Sequence, residues 1–351
     1  MSELNHKMTS SIFDFTGSVT RAEVAKLMAD PNVKTVQTKV PAESSTWDFL
    51  NRELFQARPD IELRLYGFYS DTCDLRILRQ TGNVRHLVAD CLMTATGVEN
   101  IASLTKLESL SVGIYDLDSF AFLDSLPCEQ IVSLSLQATA SKRPALRSLE
   151  RFTNLTTLSI EGHKKDIEVI GSLKRVEDLT LRSIGPVDLS FLQSLTDLWS
   201  LDIKLGGIRD LSGLANMDQL LYLELWQVKG LSDLSVISTL RGLQFLFLQS
   251  MINVVRLPDF SDLKDLRRVH CENMNGLTDL SSLSTTSVLQ EVFFSTTRGQ
   301  EPEEYEWIVK LDNLWRATVT LGSLDRNERF KKIAARYGVE EYRQFAPFEY
   351  L

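Results

Sequence analysis

Residues 220–249 read LLYLELWQVKGLSDLSVISTLRGLQFLFLQ and hold one pattern twice, 23 residues apart. Each copy opens as L-x-x-L-x-L: Leu220, Leu223 and Leu225, then Leu243, Leu246 and Leu248. Successive side chains of an extended strand point to opposite faces, so leucines that face a core throw the residues between them outward. Those residues are Tyr222, Glu224 and Trp226 in the first copy, and Phe245, Phe247 and Gln249 in the second. Large aromatics facing outward on a regular surface often mark a binding face.

The pattern extends far beyond these two copies. L-x-x-L-x-L or a close apolar variant begins at Val84, Leu107, Ile131, Leu155, Val176, Leu198, Leu220, Leu243, Leu266, Leu289 and Leu314. The intervals run from 21 to 25 residues, too regular for a chance run of leucines. After each strand, apolar residues recur every third position, as in Leu231, Leu234, Ile237 and Leu240. That spacing predicts short 3₁₀ or single-turn helices in the return segments. Asp-Leu-Ser recurs at 188–190, 210–212, 233–235 and 279–281, where Asp and Ser can accept hydrogen bonds from the free N–H groups that open each turn.

Strand motif, period and return segments together resemble the internalin-like, roughly 22-residue class of bacterial leucine-rich repeats, over residues 84–320. The resemblance implies an α/β leucine-rich-repeat solenoid, with a parallel sheet on a concave face and short helical turns on a convex one. The asparagine common at the ninth repeat position is missing. Tyr115, Thr139, His163, Ile184, Gly206, Val228, Met251 and Met274 stand there, so apolar packing is expected to hold that corner.

The flanks depart from the repeat, as terminal units must if they are to cover the ends of the core. Residues 1–59 are expected to form an N-terminal α/β cap: a helix from a capping box at Thr20 and Glu23 to Asp30-Pro31, a strand over 33–40, and a second helix over 46–55. The solenoid then occupies 60–321 and a helical cap 322–351. In that cap, Asp325 and Glu328 read as a second capping box, and Gly338 as the stop. The aromatic tail of Phe345, Phe348 and Tyr350 is expected to pack on the final repeat. Residues 295–306 (STTRGQEPEEYE) form an acidic loop at the sheet edge.

Composition narrows the functional classes. The 351 residues are 43% hydrophobic and 24% charged, as in a folded globular chain, with a net charge of −9. An acidic chain lacks the clustered basic face that a phosphate backbone requires, so no nucleic-acid partner is expected. The N-terminal stretch has no apolar leader core, and no run is long enough to span a membrane. Cys73, Cys91, Cys128 and Cys271 fit no metal or disulfide spacing, so the cytoplasm is the expected compartment.

No catalytic constellation emerges. His6, His86, His163 and His270 sit in no metal spacing, Cys271 falls on an inward strand position, and Gly206-Gly207 belongs to no phosphate-binding motif. Neither enzymatic activity nor a cofactor is expected. The information lies in the outward positions, which are small and polar early in the array and aromatic and charged later. Tyr222, Glu224, Trp226, Phe245, Phe247, Arg268, His270, Glu272, Glu291 and Phe293 form the candidate partner-binding set. Aromatics and arginine dominate interface hot spots, and interleaved charges fix orientation. The expectation is a monomeric protein-recognition module. An immunity protein or antitoxin occluding a basic toxin is the specific form it suggests. A cytosolic regulatory scaffold for an enzyme such as a phosphatase is the alternative. Stacking among these rings, or cover by a loop, is the competing explanation for the aromatics. Trp199 and Trp315, at the second strand position, read as structural.

Overall fold

The structure, a computed structural model, describes residues 7–8, 11–39, 42–67, 72–141, 144–297, 299–343 and 348–351. The chain divides into two compact units, Met1–Val176 and Glu177–Leu351.

In the first unit the described strands are β1 (Lys7–Met8), β2 (Ile12–Asp14), β3 (Thr35–Thr38), β4 (Glu62–Tyr66), β5 (Thr72–Asp74), β6 (His86–Asp90), β7 (Thr94–Thr96), β8 (Ser109–Gly113), β9 (Ser133–Leu136) and β10 (Thr157–Glu161). A short antiparallel pair, β1 with β2, starts the sheet, and β2, β3, β4, β6, β8, β9 and β10 then follow in parallel. The segment expected to cap the array therefore supplies strands to the same sheet. β5 and β7 form a separate parallel pair.

The expected N-terminal helices are present. α1 (Arg21–Ala29) opens on the Thr20–Glu23 capping box and buries Val24 and Leu27. α2 (Ser44–Leu50) buries Trp47 and Leu50, and the remaining residues 51–55 form a wider π turn rather than a continuation of the α-helix.

The second unit contains β11 (Asp178–Arg182), β12 (Ser200–Lys204), β13 (Tyr222–Trp226), β14 (Phe245–Gln249), β15 (Arg268–Glu272), β16 (Glu291–Ser295) and β17 (Arg316–Thr320), paired in parallel and in sequence order. Register is strict: Leu223 lies beside Leu201 and Leu246, and Leu225 beside Ile203 and Leu248. Each of these is fully buried, and burial of one such side chain contributes about 1.5–3 kcal/mol. A one-residue slip would expose the whole row, which fixes the alternation.

Return segments run through 3₁₀ turns, such as Ser190–Ser194 and Ser235–Thr239. The Asp-Leu-Ser prediction holds for the aspartates, whereas the Ser190, Ser212 and Ser281 hydroxyls donate to those carboxylates instead of accepting from the turn. Asp188, Asp210, Asp233 and Asp279 each accept from the backbone N–H of the serine two residues on, at 2.7–2.9 Å. Asp259 does the same for Ser261, in a copy where Phe260 replaces the leucine.

At the ninth position apolar packing replaces the asparagine ladder. Ile184, Val228, Met251 and Met274 are buried, and the Met251 backbone N–H points at the Met274 sulfur, 3.4 Å away. His163 is buried too, with Nε2 3.1 Å from the Gln137 carbonyl oxygen. Tyr115, at 46% exposed, and Gly206, half-buried, are the exceptions.

The C-terminal helix α3 (Leu324–Arg336) has Ser323 at its N-cap position, without a side-chain capping bond, so Asp325 lies in the first turn instead of at the cap. Gly338 follows with φ 73°, as a helix stop should. The acidic loop is tied to α3: Arg329 donates to Glu301 and Glu303 at 2.7 and 2.6 Å. Among the described residues, no helix is long and apolar enough to cross a membrane.

Candidate partner-binding face

The outward positions of the second unit form three rows across the strands, because parallel pairing keeps them in register. The first holds Tyr222, Phe245, Arg268, Glu291 and Arg316. The second holds Glu224, Phe247, His270 and Phe293. The third holds Trp226, Gln249 and Glu272. Alternation thus brings all ten sequence-predicted residues onto one surface.

The first row is an aromatic and ionic chain. Tyr222 meets Phe245 edge-on at 5.1 Å, and the Arg268 guanidinium lies 5.1 Å from the Phe245 ring. Arg268 pairs with Glu291 at 2.7 Å, and Glu291 with Arg316 at 3.4 Å. Arg268 and Glu291 are 2% and 5% exposed. Expected on an open face, both are buried, because the chain's own C-terminal segment lies over this row.

Residues 348–351 run across strands far from the last repeat. Phe348 packs 5.5 Å from Phe245, with the Arg267 and Arg268 guanidinium groups each 4.8 Å from its ring. Tyr350 stands edge-on to Trp199 at 5.1 Å and to Phe348 at 4.9 Å. The Leu351 backbone N–H donates to the Gln244 side-chain oxygen at 2.8 Å, and Arg267 donates to the Glu349 carbonyl oxygen at 2.5 Å. The expectation that this tail packs on the final repeat is corrected to a seat on the repeats of β12 to β15. Phe345 lies outside the described residues. Trp199, read as structural, is part of the seat. Trp315 stays 42% exposed, with Arg316 3.8 Å above its ring.

The second row is a stack. His270 lies nearly parallel between Phe247 and Phe293, with centroids 4.3 and 4.4 Å apart and interplanar angles of 12° and 14°. Tyr342 covers His270 and Phe293, each at 5.5 Å. His270 is therefore fully buried, contrary to the expected contact role. Burial drives its pKa down to about 4, against the opposing pull of Glu272. At neutral pH the ring is uncharged. Nε2–H then donates to Glu272, 3.2 Å away, while Nδ1 accepts from the Tyr342 hydroxyl at 3.3 Å.

Glu224 is held between Lys204 at 3.2 Å and the Tyr222 hydroxyl at 2.8 Å. Lys204 also pairs with Asp202 at 2.8 Å. Burial, then the Glu224 charge, raises the Asp202 carboxyl to about 6, with Lys204 pulling the other way.

The third row remains more open. Trp226 is half-buried, with the Arg182 guanidinium 5.5 Å from its ring and its indole N–H lacking an acceptor among the described residues. Glu272, two strands along the same row beyond Gln249, is also partly exposed. The outward positions alone did not reveal that the tail, expected on the final repeat, covers this face. Its one signal was the alternation Phe348-Glu349-Tyr350, which puts two rings on one side of an extended segment.

No protein-family model matches the chain, and no curated protein matches it in sequence. Solved structures do. The Toll–Spätzle complex of Drosophila is similar at 14% identity over 89% of this chain and 47% of that one, with a TM-score of 0.53. The fold is a leucine-rich-repeat solenoid. An internalin (inlF) of Listeria monocytogenes is 19% identical over 96% of this chain and 87% of that one, with a TM-score of 0.49. A leucine-rich-repeat protein of Leptospira interrogans is 15% identical over 93% of each, with a TM-score of 0.45. At 14% identity the likeness to the Toll–Spätzle structure is one of architecture alone, and the site rests on this chain's own residues.

Proposed function

We propose that the protein is a non-enzymatic, cytoplasmic recognition module that binds a protein partner on the outward rows of its second unit. The supporting observation is the face itself: rigid parallel strands present a continuous surface of rings and guanidinium groups that already holds an extended aromatic segment, residues 348–351. Side chains fixed on strands lose little freedom on contact, so a partner meets a preorganised surface. Toll, of the same fold, was solved in complex with a protein, Spätzle.

The partner's chemistry follows from what remains accessible. Glu224 and Glu291 are spent on Lys204, Arg268 and Arg316, and Glu272, only partly exposed, accepts from His270. An apolar, aromatic partner surface therefore fits better than a broadly basic one. This weakens the charge argument for a toxin, and an immunity protein would have to recognise its toxin mainly through apolar contacts.

Affinity capture from the native host with the wild-type chain and with a Trp226→Ala variant tests the reading. One protein should be retained by the first and lost by the second, with both chains melting at similar temperatures. Equal retention by the two would place recognition elsewhere.

A further inference from the structure

We infer that the first outward row of the second unit, with the edge residues Trp199, Gln244 and Arg267 beside it, is a peptide-binding groove for an extended segment bearing two aromatic side chains two residues apart, and that residues 348–351 are its exchangeable resident. The inference rests on the recognition reading above and names the kind of segment it takes.

Three observations carry it. First, the seat reads a peptide in two alternating ways. Rings at 348 and 350 enter against Phe245 and Trp199, while backbone groups at 349 and 351 face the edge residues Arg267 and Gln244. Pockets for alternate side chains, with hydrogen bonds to the backbone between them, are how extended peptides are recognised. Gln244 addresses one residue twice, accepting from the Leu351 N–H at 2.8 Å and reaching its carbonyl oxygen at 3.5 Å. Such contacts are independent of the side chain at that position.

Second, selectivity for rings is built in. Two guanidinium groups sit 4.8 Å from the Phe348 ring, and Arg268 is fixed by its buried pair with Glu291. A cation over a ring face is attracted by the ring quadrupole, so an aliphatic side chain there would forfeit that attraction.

Third, the resident segment makes its hydrogen bonds to side chains of the seat and pairs with no strand. Residues 348–351 join no strand or helix, and Leu351 is 81% exposed. Removing them breaks no ladder of the sheet. Attachment to the same chain gives the segment a local concentration on the order of millimolar, so a competing segment must exceed that advantage to enter. The tail thereby sets an affinity threshold for partners.

The test uses the full chain and a capped tetrapeptide, acetyl-Phe-Glu-Tyr-Leu-amide, titrated by NMR. With Phe348→Ala and Tyr350→Ala together, the peptide should bind about tenfold or more tighter than to wild type, because the tethered competitor is gone. A peptide with alanine in place of both rings should not bind. Equal affinity for the two chains, or no binding to a folded double variant, would overturn the groove. Failure of the double variant to fold would also overturn it, since the tail would then be core. As an independent measure, Gln244→Ala in the double-variant background should weaken the peptide again, and unchanged affinity there would contradict the assigned seat. Peptide binding without any captured partner supports the groove and refutes the recognition reading, while partner capture through Trp226 without peptide binding does the reverse.

Discussion

At the residue scale, two backbone constraints and one carboxyl make sharp predictions. A Cβ added to Gly242 would lie 1.9 Å from the Asp218 carbonyl oxygen of the preceding repeat. Gly242→Ala must therefore push two repeats apart, and we expect a loss of about 3 kcal/mol or more by denaturant unfolding. The eighth repeat position carries the opposite lesson. Ser183, Leu205, Gln227, Ser250 and Asn273 all adopt φ of 52–54°, a left-handed conformation that favours glycine. Gln227→Gly should raise stability by about 0.5–1 kcal/mol, the relieved strain exceeding glycine's entropic cost. Asp202, raised from 3.8 to about 6, binds a proton more tightly when folded. Its contribution is fully present below pH 3.8 and is lost as pH rises through 6. Asp202→Asn should flatten the stability profile across that window, whereas an unchanged slope would show that the carboxyl is not desolvated.

At the element scale, the Asp-x-Ser turns and the aromatic stack are separate devices. Backbone N–H groups of Ser212 and Ser235, then their hydroxyls, hold Asp210 and Asp233 below the ordinary 3.8. A depressed carboxyl stabilises above its unfolded pKa, and the effect vanishes as pH falls through the folded value. Asp233→Ala should therefore melt below wild type at pH 7, the gap narrowing below pH 3.8. The stack of Phe247, His270 and Phe293 belongs to the structure as much as to the surface. Phe247→Ala should cost about 2 kcal/mol or more, combining lost burial with a lost ring contact. Leucine periodicity and turn chemistry were legible in the sequence because they are local. The π turn after Leu50 and the Ser323 cap were not, since propensity alone does not choose among neighbouring ways to start or end a helix.

At the scale of the whole molecule, contacts distant in sequence decide what the surface offers. Alternation places ten side chains on one face of the sheet, but it could not show that Arg268, His270 and Glu291 are covered, because the cover comes from Tyr342 and residues 348–351. Gln244 and Leu351 are 107 positions apart, and no periodic pattern encodes such a pairing. A partner that docks on the outward rows of the second unit would reach them through the open edge at Trp226. Site-specific photocrosslinking tests this docking most directly, with p-benzoylphenylalanine placed at Trp226 in one chain and at Val255, which is 56% exposed in a return segment, in another. A crosslinked partner is expected from position 226 and none from position 255. A partner captured from 255 and absent from 226 would contradict it.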